Sequence, residues 1–471
     1  MKTVTTAQMR QLDARTIAAG TPGAVLMERA GRAVAEQAGK FLRQHNTREV
    51  LLLAGKGNNG GDAFVASRHL ALAGYTPTLV LLCRPDDLTG DARTHFQKLT
   101  SVEVVEWPGK LPATDLIVDG LLGTGLTGEV REPYAAVIRF INTTRVPVIA
   151  IDVPSGLGTG ICVRADVTVT FGLPKIDLLQ PAAADFVGRL EVADIGLLTT
   201  DMTSDVELLT RGDIILPERK RSAHKGTFGH LLIIAGAEGY TGAPVLCAHA
   251  AARSGVGLVT LAVPRNIYGI VAGNCPPEVM PVALDKIPAL ENFTAVAIGP
   301  GLGRLTETQA FVRDFVAKLQ APVVVDADAL DAVGLRPGLV LTPHPGEMGR
   351  LIGKTAQEIQ ANRWEIARQF ACKQDVTLAL KGAGTVVTDK SGKLWINSTG
   401  NPGMAKGGMG DALTGIIGAL LAQGLPALEA VKAGVFLHGH AGDLAAQHVG
   451  EPALLATDLI AALSAAFTTL D

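Results

Sequence analysis

The chain has 471 residues, 47% of them hydrophobic and 18% charged, with 54 glycines and a formal net charge of −3 at pH 7. This length favours two domains over one unified core, and the composition is that of compact glycine- and alanine-rich α/β material, which excludes a disordered chain. A pI near 6.4, with no basic block and no basic-aromatic interleaving, excludes an electrostatic surface for nucleic acid or anionic membrane, so small molecules are the expected partners. The five cysteines, Cys83, Cys162, Cys247, Cys275 and Cys372, are widely spaced and never form a C-x-x-C pair, which argues against a disulfide framework or a zinc site. The N-terminus lacks an apolar signal core and no later segment offers about 20 uninterrupted apolar residues, so a soluble cytoplasmic protein is expected.

Thr5 and Gln8 have the spacing of a capping box and predict a short opening helix that ends before Gly20. A second helix over 24–41 leads to a strand over 50–54, and Gly55-Lys-Gly-Asn-Asn-Gly-Gly-Asp62 follows, ahead of a helical pattern over 63–73. A glycine-rich turn between strand and helix presents backbone N–H groups to a phosphate, and Asn58, Asn59 and Asp62 add amide and carboxylate groups for a ribose. Strands recur over 78–82, 102–105, 116–119 and 148–152 with helices between, the alternation of a parallel sheet wrapped by helices. Asp119 and Asp152 each end an apolar strand, so both carboxylates are aimed at the strand ends where ligands collect. Oxygen groups on Asn59, Asp119 and Ser155 can hold a hard cation, and a set so poor in carboxylates suits a monovalent ion better than a divalent one. Each aspartate taken alone also fits a loop cap.

Periodicity lapses over 199–205, which places the linker there and divides the chain into domains 1–204 and 205–471. A second strand-turn-helix begins with a strand over 231–235, a glycine turn over 236–242 and a helix over 243–254. Strands are expected over 258–263, 295–298, 323–326, 339–341, 377–380, 385–387 and 394–396. Five turns then gather polar groups: Gly299 to Gly303, Asp326-Ala-Asp328, His344 between two prolines, Lys381-Gly-Ala-Gly-Thr385, and Gly400 to Asp411 before the apolar run 412–422. Asp326 and Asp328 can bind a metal or cap a helix over 329–333, with the cap slightly favoured. Asp411, read at the first helical position, is either a helix cap or a general base beside an anion cradle, and the companion turns favour the base. Lys406 can touch phosphate or point into water, and His438 and His440 on an alanine-rich helix read as hydrogen-bonding groups more readily than as metal ligands.

Taken together, Leu26-Met-Glu-Arg-Ala-Gly31, Gly57 to Asp62, Asp119 to Glu129, Asp152-Val-Pro-Ser-Gly156, His224-Lys-Gly226, Gly299 to Gly303, His344-Pro-Gly-Glu347, Lys381 to Gly384 and Gly400 to Asp411 resemble the bifunctional NAD(P)H-hydrate repair enzymes over nearly the whole chain. The resemblance implies a Rossmann-like N-terminal domain that interconverts the R and S forms of hydrated NADH or NADPH, followed by a ribokinase-like α/β domain. That second domain would dehydrate the S form at the expense of ADP or ATP, and the bifunctional layout favours ADP. It implies hydrate binding by Asn58, Asn59, Gly60, Gly61, Asp62, Gly123, Thr124, Gly125, Leu126, Thr127, Gly128, Glu129, Tyr134 and Asp152, with Asp152 transferring the proton. Potassium would lie on Asn59, Asp119 and Ser155. In the second domain it implies hydrate binding by Ala243, Gly303, His344 and Asp411, nucleotide binding by Lys381, Gly382, Ala383, Gly384, Thr385 and Gly410, and Asp411 as general base, with Mg²⁺ accompanying the nucleotide. A homo-oligomer is expected. Two positions depart from the family pattern, Ala63 where glycine is expected and Gly120 where alanine is expected. The alternative reading is a small-molecule kinase, for a vitamin precursor or a sugar, with an attached nucleotide-sensing domain.

Overall fold

The computed structural model describes residues 1–107, 112–200 and 202–470. Two compact units are present, one of residues 2–204 and one of residues 205–471 together with Met1. The predicted linker contains Asp201, which lies outside the described residues.

In the first unit seven strands, β1 (Glu49–Ala54), β2 (Thr76–Leu81), β3 (Glu103–Glu106), β4 (Leu116–Gly120), β5 (Val148–Ile151), β6 (Val167–Phe171) and β7 (Arg189–Ala193), pair in the order β3-β2-β1-β4-β5-β6-β7. Every pairing is parallel. Leu51, Leu52, Leu53 and Val118 are fully buried, as strands covered by helices on both faces must be. The order reverses between β1 and β4, and at such a point the loops leaving the two strands part and leave a crevice. Gly31 lets the helix Gly23–His45 lie against the helix Asn58–Leu72, since a Cβ there would come within 2.4 Å of the Val65 Cβ.

That second helix corrects the reading of the glycine turn. It begins at Asn58, with Gly57 as its cap, and not at residue 63. Gly60 and Gly61 are glycines because of crowding: a Cβ on Gly60 would sit 1.9 Å from the Gly55 carbonyl oxygen, and one on Gly61 would sit 2.5 Å from the Met27 sulfur. Positions 63 and 120, where the resemblance implies glycine and alanine instead, meet at the same place. A Cβ on Gly120 would fall 2.9 Å from the Ala63 Cβ and 2.9 Å from the Asn59 carbonyl oxygen, so the methyl lost at one position makes room for the methyl gained at the other. Gly120→Ala is therefore expected to destabilise the first unit by about 1–3 kcal/mol. Adding Ala63→Gly should recover part of the loss, and the coupling is read by a double-mutant cycle of denaturant unfolding.

In the second unit ten strands, β8 (Val206–Leu209), β9 (His230–Ile234), β10 (Leu258–Val263), β11 (Val279–Ala283), β12 (Ala295–Ile298), β13 (Val323–Val325), β14 (Val340–Leu341), β15 (Thr377–Leu380), β16 (Thr385–Thr388) and β17 (Leu394–Asn397), form one sheet. Its order is β11-β10-β9-β12-β13-β14-β15-β16-β17-β8, and the only antiparallel pairings among the described residues are β15 with β16 and β16 with β17. The sequence reading does not contain β8 or β11. Pro281 lies within β11, the outermost strand of the sheet, where proline is tolerated. The order reverses between β9 and β12. The helix Met409–Ala422 is buried almost all round and packs on the helix Gly242–Arg253, where a Cβ on Gly415 would lie 2.1 Å from the Cys247 carbonyl oxygen.

Candidate active sites

Each sheet gathers polar groups at the carboxyl ends of its strands, and each unit has its own cluster. In the first, Asp119 at the end of β4 is fully buried. Its Oδ1 accepts from the Ser155 hydroxyl at 2.6 Å and from the Leu121 N–H at 3.2 Å, and its Oδ2 accepts from the Ser155 N–H at 2.8 Å. Burial pushes this carboxyl up to about 6 against the pull of those donors. The Asn59 amide donates to the carbonyls of Ile151 at 2.8 Å and Leu122 at 3.2 Å, which ties the start of its helix to the ends of β4 and β5. A Cβ on Gly123 would fall 2.4 Å from the Asn59 Oδ1, so glycine there keeps that oxygen uncovered. Asn59, Asp119 and Ser155 thus converge, as the sequence predicts.

The loop over 123–129 is fastened at both ends. The Thr124 carbonyl accepts from Arg10 at 2.7 Å, the Leu126 N–H donates to the Gly123 carbonyl at 3.2 Å, and the Glu129 carboxylate accepts from the Gly160 N–H at 3.0 Å. Tyr134 stands beside Gly55, where a Cβ would lie 3.5 Å from its ring. Asp152 is almost wholly buried and forms an ion pair with Lys175, itself 1% exposed. Asp62 and Asp13 complete the group: burial and then the charge of Asp152 push the Asp62 carboxyl well above its ordinary value, while burial raises that of Asp13. Lys175 and Asp13 are absent from the sequence reading. Lys175 was within reach of it, because Phe171-Gly-Leu-Pro-Lys175 continues from a strand as Asp152 does.

In the second unit Asp411 is the third residue of the helix Met409–Ala422, whose cap is Gly408 with φ +90°. The cap reading and the first-position reading of Asp411 are both corrected: Gly408 takes the left-handed turn into the helix, and no side-chain cap bond is made there. Burial, reinforced by Asp326 and opposed by Lys381, pushes the Asp411 carboxyl up to about 6. The Lys381 ammonium donates to Asp326 Oδ1 at 2.6 Å and lies 3.7 Å from Glu347. Thr414 donates to the other Asp326 oxygen at 2.7 Å. A Cβ on Gly410 would lie 3.3 Å from the Lys381 nitrogen, so glycine brings the helix start against that pair.

His344 caps the helix Pro345–Ile352, its Nδ1 accepting from the Gly346 N–H at 3.0 Å, and its Nε2 lies 3.2 Å from Glu347. Gly303 donates to Asp328 at 3.0 Å, and a Cβ on Gly301 would lie 3.0 Å from the Ala243 Cβ, which brings the turn after β12 to the helix bearing Ala243. Asp326 and Asp328 part company. Asp328 is tied to Gly303 and Arg304, and Asp326 is followed by a 3-10 segment, Ala327–Ala329, and then by a single turn in which the Val333 N–H donates to the Ala329 carbonyl at 3.0 Å, so the predicted helix over 329–333 is reduced to that one turn. The Lys381 to Thr385 turn rests on Arg363, which donates to the carbonyls of Leu380 at 2.8 Å, Lys381 at 3.1 Å and Ala383 at 2.9 Å. Sequence reasoning did not find Arg363, whose partners lie 17 to 20 residues away.

Lys406 reaches the Pro452 carbonyl at 2.6 Å, and His440 pairs with Thr469 at 2.9 Å. His438 is held neutral by burial, which takes it down to about 4, and bonds the Met409 carbonyl at 2.9 Å. It anchors the start of the helix that carries Asp411. Among the described residues no group of three or more His, Cys, Asp or Glu side chains is placed to hold a metal. No helix among them is long and apolar enough to cross a membrane.

The two units are thus α/β domains with separate polar clusters at their sheet ends, the second built around a glycine-lined helix start and a buried aspartate, a geometry suited to phosphoryl transfer. Residues 231–465 match the family model described as NAD(P)H-hydrate dehydratase, and residues 23–176 match that of the YjeF-related protein N-terminus. A protein of Moorella thermoacetica, named as a bifunctional NAD(P)H-hydrate repair enzyme, is 42% identical over 98% of this chain and 95% of its own. One of the same name from Coxiella burnetii is 39% identical over 96% of each. Among solved structures, the ADP/ATP-dependent NAD(P)H-hydrate dehydratase of Bacillus subtilis, co-crystallised with ATP and Mg²⁺, is 34% identical with a TM-score of 0.52, covering 57% of this chain and all of that one. The chain belongs to the bifunctional NAD(P)H-hydrate repair enzymes.

Proposed function

We infer that this chain returns hydrated NADH and NADPH to use in two steps, epimerising the R and S forms in residues 1–204 and dehydrating the S form in residues 205–471 with ADP or ATP. The observation that carries the reading is the end-to-end match to relatives named for both activities. The two separate polar clusters support it chemically. The hydrate bears its hydroxyl on a carbon bonded to the ring nitrogen. A base that takes the hydroxyl proton lets the C–N bond open as the carbonyl forms, with the nitrogen taking up a proton, and reclosure on the other face gives the epimer. Asp152 is the base in this reading, with the Asn58 to Asp62 turn, the 123–129 loop and Tyr134 holding the nucleotide.

Potassium fits Asn59, Asp119 and Ser155. Asp119 is a buried carboxylate met by a hydroxyl and amides, with no cation opposite it among the described residues, and the oxygens around it are of the hard kind. Such an ion would supply charge and hold the loops after β4 and β5 around the substrate.

Hydroxide leaves poorly, and phosphorylation turns the hydroxyl into a good leaving group. In the second unit Asp411 takes the hydroxyl proton as the oxygen attacks the terminal phosphorus of the nucleotide. The phosphate then departs, driven by the ring nitrogen, and loss of the neighbouring ring proton restores the reduced nicotinamide. Lys381 to Thr385 and Gly410 hold the nucleotide, and Ala243, Gly303 and His344 the hydrate. Asp326, Asp328 and Glu347 are each committed to protein partners, so Mg²⁺ is read as arriving on the nucleotide phosphates and no step is drawn through it. The reading extends to a cytoplasmic homo-oligomer.

The test is recovery of reduced-nicotinamide absorbance from a mixture of both epimers, with ADP, with ATP and with neither. Complete recovery that requires a nucleotide is expected; recovery of one epimer alone would remove the epimerase, and phosphate transfer to an unrelated alcohol with no recovery would favour the kinase. Arg363→Met removes all three donors that hold the Lys381 to Thr385 turn and should raise the KM for ADP at least about tenfold, the equivalent of about 1.5 kcal/mol, while leaving epimerisation unchanged.

A further inference from the structure

Asp152 is held more firmly than a loop carboxylate requires. Its backbone lies in the left-handed region with φ +63°, its N–H donates to the Val169 carbonyl at 2.8 Å, and the next N–H turns back to the Ile151 carbonyl at 2.7 Å. Aspartate takes this conformation at some cost, and such positions persist where the surroundings enforce them. The side chain is equally constrained, on one oxygen only. Oδ1 accepts from the Lys175 ammonium, from the Thr170 hydroxyl at 3.2 Å and from the Phe171 N–H at 3.3 Å. No donor among the described residues meets Oδ2.

Lys175 is fully committed as well. Besides Asp152 it donates to the Thr170 hydroxyl at 3.1 Å and the Phe171 carbonyl at 3.2 Å, and its own backbone is clamped by Val4, which bonds Pro174 at 3.1 Å and Ile176 at 2.9 Å. The other charged groups facing the pair are Asp13, from the helix Thr6–Ala18, and Asp62, from the helix Asn58–Leu72. Of the three carboxyl groups around it, the Lys175 ammonium bonds only that of Asp152.

We propose that Lys175 is a positioning residue for epimerisation: by occupying Oδ1 and ordering Thr170 it leaves Oδ2 as the oxygen that meets the substrate hydroxyl and takes its proton. The inference rests on Asp152 being the base. A buried ion pair kept for folding alone would make the same contacts, so the test must read catalysis apart from stability. Dehydration by the same full chain controls for the amount of protein, since Lys175 lies outside the second unit, and denaturant unfolding of the first unit, measured alongside, controls for its folding.

Epimer exchange is measured without nucleotide for Lys175→Met, Lys175→Arg and Asp152→Asn, and dehydration of the S form with ADP alongside. In Lys175→Met the kcat for exchange should fall about 100-fold, within the span of general-base effects, with KM changing less than about threefold. Lys175→Arg, which keeps the charge, should recover part of the rate. Exchange at the normal rate in Lys175→Met overturns the proposal, as does a loss carried by KM with kcat unchanged. If Lys175→Met does not fold, a normal kcat in Lys175→Arg, despite its altered geometry, would also overturn it. Normal exchange in Asp152→Asn would instead remove the reading of Asp152 on which the proposal stands.

Discussion

Replacing Asp411 with asparagine is expected to abolish dehydration and spare epimerisation. Asparagine keeps the shape and loses the base, and general-base catalysis of this kind contributes about 10²- to 10⁴-fold. The electrostatics of the site sharpen the expectation. Burial, then Asp326, raise this carboxyl to about 6, so it is largely ionised at neutral pH yet basic enough to take a hydroxyl proton. Wild-type dehydration should therefore climb as pH rises through about 6 and level off above it, where the carboxylate is fully formed. Stability runs the other way. A carboxyl whose folded value is raised burdens the folded state above that value, and the burden lifts as pH falls through it and the proton returns. At neutral pH the asparagine variant should melt no lower than the wild type, measured by calorimetry, while losing turnover. A parallel fall in both activities would show that the two units are not separable in function.

Replacing Asp152 with asparagine should do the converse to activity, with a different thermodynamic signature. Epimer exchange is expected to fall by about 10²- to 10⁴-fold, while the S form is still dehydrated at the wild-type rate. Here the substitution also strands Lys175, which is 1% exposed and loses its ion-pair partner. Removing one partner of a buried pair costs up to about 3–5 kcal/mol. The full cost should not appear, because the charge of Asp152 helps burial to push the Asp62 carboxyl upward, and its removal eases the ionisation of Asp62 opposite Lys175. Denaturant unfolding of the first unit should thus show a moderate loss. The two aspartates are distinguished by this contrast: one variant is inactive in dehydration without being weakened, the other inactive in epimerisation and weakened.

The alternation of strand and helix made both α/β sheets legible, the first wholly parallel and the second mixed, and carboxylates ending apolar strands led directly to Asp119 and Asp152. Glycine-rich turns were a less exact guide. Gly60 and Gly61 read as loop because glycine is rare inside helices, yet they stand in a helix where the neighbouring backbone and Met27 leave no room for a side chain. The starting point of Asp411's helix shifted for a related reason, since Gly408 supplies a left-handed turn that no spacing rule marks. Lys175 was not legible because a lysine after a strand reads as a surface cation. Arg363 and the pairing of Asp326 with Lys381, 55 residues apart, depend on which strands lie side by side, and that order is set by the packing of the whole sheet.

The close approach of positions 63 and 120 constrains how this chain could arise from one with the pattern that the resemblance implies, glycine at 63 and alanine at 120. Two single steps lead from that pattern to this one. Gaining alanine at 63 first would place two methyl carbons in one space, about 2.9 Å apart. Losing the alanine at 120 first leaves only a small void, which a folded domain bears more easily. The order of events is then expected to be glycine at 120 before alanine at 63, and relatives with glycine at both positions are the intermediates to seek. Those with alanine at both should be rare, or should carry a shifted backbone at Asn59.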